Sequence, residues 1–157
     1  MKRSFSFWML AFGAALILIA VVMLIPQTLL SPQNQNPSRV CFSGSCFSVE
    51  LAVTPDQQAT GLMNRKSLDQ DKGMLFIFSQ DGVYPFWMKD TLIPLDMIWM
   101  DSSGRVVFIG RDEQPCSPVE CPSINPGVPA RYVLEINGGD ADRIGLKVGD
   151  SMSIHIG

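Results

Sequence analysis

Short apolar strands separated by turn residues, with very little helical periodicity, predict an α+β protein. The expected architecture is a small, mostly antiparallel β-barrel or sandwich with one or two short helices, preceded by one transmembrane helix. Three observations carry this expectation. Phe47, Val49, Leu51 and Val53 alternate with Ser48, Glu50 and Ala52, the period of a half-buried strand. Met74 to Phe78, Phe86 to Met88 and Leu95 to Met100 are aromatic and aliphatic runs of strand length. Phe7 to Ile25 holds no charge and follows Lys2 and Arg3.

That uncharged run, as a helix, would measure about 28 Å, close to the roughly 30 Å thickness of a bilayer core. The basic flank predicts residues 1–6 as a cytoplasmic stub, 7–25 as a signal anchor and the remainder on the far side. A cleaved signal peptide usually has a shorter core, about 7–15 residues, and a small-x-small site. Ile25-Pro26-Gln27-Thr28 supplies no such site, and Ser38-Arg39-Val40 ahead of Cys41 is no lipoprotein context. Residues 26–38, polar and with three prolines, read as a linker. Residues 39–157 then form one extracytoplasmic domain, long enough for a compact core. The compartment, whether periplasmic, lumenal or extracellular, stays open.

The next elements follow in order. Thr54-Pro55-Asp56-Gln57 opens a short helix, with Thr54 as cap, Pro55 at the first position and Gln57 completing a capping box. It is expected to reach about Met63, weakened at its end by Gly61. After the three apolar strands, Asp101-Ser102-Ser103-Gly104 turns the chain, and Arg105 to Ile109 returns as the second arm of a hairpin. Arg111 to Ala130 reads as a long proline-rich loop. Tyr132 to Ile136 is a strand, Ala141 to Ile144 a helical turn, and Met152 to Ile156 a last strand. About seven strands result.

Composition excludes some functions. Without Lys2 and Arg3, 10 basic residues face 15 acidic ones, and a phosphate-backbone binder would need a basic stripe. Nucleic acid is therefore not an expected partner. Four cysteines form two pairs of equal spacing, Cys41 with Cys46 and Cys116 with Cys121. In an exported domain this suggests disulfides. Three connectivities are possible; adjacent pairing is favoured because each pair brackets a turn, at about 2 kcal/mol per bridge. A four-cysteine zinc site would usually have tighter C-x2-C knuckles.

The motifs resemble the domain of unknown function 192 family, whose members are uncharacterised and often exported or membrane-anchored. The likeness runs through VELA.T (Val49 to Thr54), GLM.R (Gly61 to Arg65), GMLF.F (Gly73 to Phe78) and FWMK.T.IPLD (Phe86 to Asp96). It continues through the cysteine-proline loop (Cys116 to Pro122), YVLEINGG (Tyr132 to Gly139) and GLKVGD (Gly145 to Asp150). The resemblance implies a β-rich domain with no catalytic mechanism attached. The family pattern typically has Asn after the lysine of FWMK, where this chain has Asp90. An amide donates and accepts hydrogen bonds, whereas a carboxylate only accepts.

Charges set in apolar strands must be paired or wet. Arg65, Lys89, Asp90, Asp96 and Glu135 are such charges, and Trp87 and Thr91 share their motif. One reading gathers them in a ligand pocket, with Arg65 and Lys89 receiving an anionic or carbonyl group and a carboxyl acting as acid, base or anchor. The other makes Arg65 an internal brace to Asp96 or Glu135, with Lys89 snorkelling at a strand end. Alternation puts Phe86 and Met88 on one face and Trp87 and Lys89 on the other, and Trp99, beside Ile98 and Met100, is expected in the core. His155, the one histidine, reads as an exposed strand residue and offers no nucleophilic or metal scheme. Neither a metal nor a cofactor is expected. The function expected is a binding or accessory module for an envelope protein or small-molecule ligand. Alternatives are an envelope hydrolase using Asp and Glu carboxylates, and a structural subunit of a membrane complex.

Overall fold

The computed structural model describes residues 37–117 and 119–157. The expected stub, the anchor and all but the last two residues of the linker lie outside the described residues. Strands β1 (Arg39–Phe42), β2 (Ser45–Ala52) and β3 (Lys72–Gly82) come first, with helix α1 (Pro55–Thr60) between the last two. Then follow β4 (Phe86–Trp87), β5 (Leu95–Met100), β6 (Val106–Glu113), β7 (Ser123–Ile124), β8 (Ala130–Asn137), helix α2 (Asp140–Arg143) and β9 (Met152–His155).

Seven strands pair in the order β6-β5-β8-β3-β2-β1-β9, and β4 pairs separately with β7. All pairs in the large sheet are antiparallel except β2 with β3. That parallel pair requires a crossover, and α1 with the turn after it supplies one. The sheet curls into a half-barrel whose edges β6 and β9 touch at one end. There the Val106 amide donates to Asp150 and the Met152 amide to Gly104, each at 2.8 Å, beside an Arg105–Ser151 bridge.

Period-two alternation gives the sheet two apolar faces. The inner face collects Val40, Phe47, Leu75, Ile98, Leu134 and Ile136. The outer face collects Met74, Phe76, Met97, Trp99 and Val133, covered by Leu62, Met88 and the half-buried Leu68, Phe86 and Ile124. Leu95 to Met100 is buried at every position, as a strand covered on both sides must be.

Most expected elements are present, with instructive shifts. The hairpin β5–β6 closes on Asp101, whose side chain accepts from the amides of Ser103 and Arg105. The capping box of α1 is complete, Thr54 accepting from the Gln57 amide and Gln57 from the Thr54 amide. The helix stops at Thr60 rather than near Met63, because Gly61 takes φ 48°, ψ −133°, outside the helical region. Alternation in β2 fails at its end: Ala52 is buried and Val53 exposed, since Ala52 packs into the outer cluster. Two short strands were not expected. β1 hairpins onto β2 across Cys41 and Cys46, and β7 lies within the proline-rich loop. Among the described residues nine strands therefore replace the expected seven. Both adjacent disulfides, Cys41–Cys46 and Cys116–Cys121, are formed.

Candidate functional site

β8 carries the most unusual polar residue. Alternation sends Leu134 and Ile136 inward, so Val133 and Glu135 face outward. Glu135 sits in the ladder between Met74 on β3 and Met97 on β5, with only 5% of its surface exposed. Its Oε2 is buried and has no hydrogen-bond partner. Burial pushes its pKa up to about 8, against the weaker opposing pull of the Arg65 charge and the Leu62 amide. At neutral pH the carboxyl is mostly protonated.

Glu135 lies at the base of a cleft of about 320 Å³. One wall is the end of α1 and the turn Gly61–Met63; the other is aromatic, built from Phe76, Phe78, Tyr84, Phe86 and Trp87. These rings are held from behind. Phe86 meets Phe76 edge-on at 4.9 Å and Trp99 at 5.5 Å, and Tyr84 stacks on Phe78 at 3.6 Å. Trp99 Nε1 donates to the Tyr84 carbonyl at 2.9 Å. The opposite wall is tied down by Gln58, whose Nε2 donates to the carbonyls of Ala52 and Ile77. Gly61 is needed here twice over. Its φ is left-handed, and a Cβ would stand 3.2 Å from Phe76 Cζ and 3.5 Å from Glu135 Oε2.

The structure distributes the sequence candidates instead of gathering them. Arg65 pairs with neither Asp96 nor Glu135. It forms a two-point ion pair with Glu50, both contacts at 2.6 Å, which joins the GLM.R motif to the VELA strand. The pair is partly exposed and contributes at most about 1 kcal/mol. Hydrogen bonding to Arg65 holds the Glu50 carboxyl below its usual range.

Asp96 faces inward, opposite Ile136. Its Oδ1 accepts from the Asp112 amide at 2.7 Å and its Oδ2 from the Ala141 amide at 2.6 Å. The second bond caps α2, whose own N-cap Gly139 has no side chain to offer. Asp96 and Glu135 thus occupy opposite faces of the sheet, and the carboxyl pair a hydrolase would draw from them does not assemble.

Lys89 neither snorkels alone nor joins Arg65: its Nζ lies over the Trp87 ring, 5.3 Å from the centroid. Lys89 and Asp90 line a second cleft beside the Cys116–Cys121 loop. Asp90 has φ 54°, a left-handed backbone that Asn and Asp adopt more readily than other non-glycine residues. This backbone suits Asp and Asn alike, and the Asp90 carbonyl accepts from the Asn64 amide at 2.7 Å. Trp87 and Thr91 form the partition between the two clefts, lining both. Trp99 is core and His155 exposed, as expected.

Of the candidate set, the Glu135 cleft therefore unites Trp87, Thr91 and Glu135. Sequence reasoning missed Gly61, Phe76, Phe78, Tyr84 and Phe86. Phe76 and Phe78 share a face by alternation, and the strand pairing that aligns them with Glu135 is the missing information. Among the described residues no cluster of His, Cys, Asp and Glu has the makings of a metal site.

Comparison with known proteins matches the same segment. Residues 39–154 match the family model DUF192, described as "Uncharacterized ACR". No match is found among curated proteins. A crystal structure from Sinorhizobium meliloti 1021, described as a candidate transcription regulator, is 37% identical with a TM-score of 0.67, covering 74% of this chain and 91% of that one. A protein of unknown function from Novosphingobium aromaticivorans DSM 12444 is 36% identical with a TM-score of 0.68, covering 78% and 89%. With its family motifs running from β2 to the turn before β9, and with relatives of this identity along most of the domain, the chain belongs to the DUF192 family.

Proposed function

We propose that this domain is a ligand-binding module, and that its site is the aromatic cleft over Glu135. One observation carries the reading: a buried carboxyl oxygen without a partner stands at the base of a concave aromatic wall. A buried polar atom left unpaired costs about 1–3 kcal/mol, a demand that a bound ligand would meet. Apolar walls with a few convergent polar groups are the usual make-up of small-molecule sites. Asp140 Oδ2 is also buried without a partner, but its carboxyl is already ion-paired with Arg143 through Oδ1.

In this reading the module is displayed outside the cytoplasmic membrane on a single-pass, N-inside anchor. The uncharged run Phe7–Ile25 supports it, and so do two disulfides, which form and persist in oxidising compartments.

A thermal-shift screen of the full chain in a non-ionic maltoside detergent tests the cleft. A ligand at 100 times its Kd stabilises by about 2.7 kcal/mol. The shift should vanish in Gly61→Ala, whose methyl group would crowd Phe76 and occupy the space against Glu135 Oε2. Ligands whose shifts persist in a folded Gly61→Ala variant would place binding elsewhere and end the proposal.

A second reading rests on Trp87, Leu92 and Val119, which are exposed and line the neighbouring cleft. Such an apolar patch suits a protein partner, and co-purification of one lost on Leu92→Asp would favour it.

A further inference from the structure

We infer that the cleft over Glu135 takes an organic cation, an alkylammonium or methylated ammonium group. The inference rests on the ligand-binding reading above and names the chemistry of the ligand. Aromatic faces carry negative potential and attract cations, the more so where water is excluded. Here aromatic rings line one wall of the cleft, and a carboxyl with a free oxygen stands at its base.

The residues lining the cleft include no Lys, Arg or His; Tyr84 and Glu135 are its titratable groups. An anionic ligand would find no cation in the walls. Arg65 is the charged group that acts on Glu135 from the adjoining turn, and it is engaged at both ends of its guanidinium by Glu50. The elements flanking Glu135 in the sheet present Met74 and Met97, which carry no charge. The molecule also shows the preference on the exposed side of the same wall, where the Lys89 ammonium rests over Trp87.

An entering ammonium would meet a carboxyl that is mostly protonated at neutral pH. Binding would then release the Glu135 proton to solvent and leave a carboxylate paired with the cation. Affinity for a permanent cation should therefore rise with pH until Glu135 is ionised in the free protein.

The test is calorimetric titration of the full chain, in the same detergent, with choline and with n-butylammonium. Their neutral counterparts are 3,3-dimethylbutan-1-ol and n-butanol. Choline affinity should increase by about two orders of magnitude between pH 6 and pH 9, and the neutral counterpart should show no such rise. Glu135→Gln, which keeps the shape and removes the titration, should abolish the pH dependence.

If the alcohols bind as tightly as the cations at pH 9, the cation inference is wrong. The cleft reading survives that result if Gly61→Ala still removes alcohol binding. If neither cation binds, the inference is likewise wrong, and the Gly61→Ala comparison in the ligand screen decides separately whether the cleft binds anything. Cation binding with no pH dependence, or unchanged in Glu135→Gln, would also overturn it.

Discussion

Asp96 and Glu135 stand one step apart in the same ladder, on neighbouring strands, and face opposite sides of the sheet. Asp96 pairs with Ile136 and Glu135 with Met97. Both are nearly inaccessible to water, yet their surroundings differ completely. The inner carboxyl is filled by two backbone amides that close β6 and α2 against β5. The outer one has an oxygen with no partner and lies in a cleft. Burial alone therefore does not distinguish a structural acid from a candidate ligand contact. Hydrogen-bond satisfaction does, because a carboxyl with a partner on each oxygen leaves no buried polar atom unpaired for a ligand to satisfy.

Removing the inner carboxyl should have the largest effect. Asp96→Ala strands two amides, each losing a hydrogen bond to a charged group, so the expected loss is about 3–6 kcal/mol. Asp96→Asn, which keeps one acceptor oxygen, should lose roughly half of that. Urea midpoints measure both. A loss below about 1 kcal/mol for Asp96→Ala would erase the contrast between the two faces.

The outer carboxyl should reveal itself through pH. Its pKa is about 8 in the fold against 4.5 for an ordinary glutamate. Between those values the folded protein holds a proton that the unfolded chain has released. Its contribution is fully present below about pH 4.5, falls as pH rises towards 8 and is level beyond. Across that window the fall should be roughly 2–4 kcal/mol, allowing for relaxation around the ionised group. Glu135→Gln should flatten the profile and be the more stable protein at pH 9. A wild-type profile with no decline over this range would mean that Glu135 is ionised in the fold, through a partner or through water.

The contrast between the two acids was only half legible in the sequence. Strand content was readable because apolar runs and period two are local properties: Leu95–Met100, an apolar run, is found with the expected bounds, and the α1 capping box lies within four residues. The inward or outward sense of a charge depends on register, which is long-range. So Asp96 and Glu135, both charges in apolar strands, looked equivalent. The sequence leaves Arg65 open to a ligand pocket or to a brace with either of them, whereas its partner Glu50 comes from a strand brought alongside by the parallel crossover. β1 and β7 are short strands that owe their existence to their partners, and no local pattern marks them. Family motifs located the aromatic residues without saying that Gly61, Phe76 and Phe86 line one cleft with Glu135.

The smallest predicted effect bears on how far the two regions are insulated from the surface. Arg65 is the positive charge that lowers the Glu135 pKa, while burial raises it. Arg65→Gln removes that pull, so the Glu135 transition should move above its wild-type position near 8. Glu50→Gln should move it the other way, because the Arg65 charge is then no longer offset by its partner. Neither substitution should cost more than about 1 kcal/mol, since the pair is partly exposed. Carbon-13 shifts of the Glu135 side-chain carboxyl, followed against pH in the two variants, would report the displacements directly. Opposite displacements would show that the GLM.R arginine tunes the cleft acid from outside. Identical transitions in both would mean that solvent screens the ion pair from Glu135, leaving the cleft acid governed by burial alone.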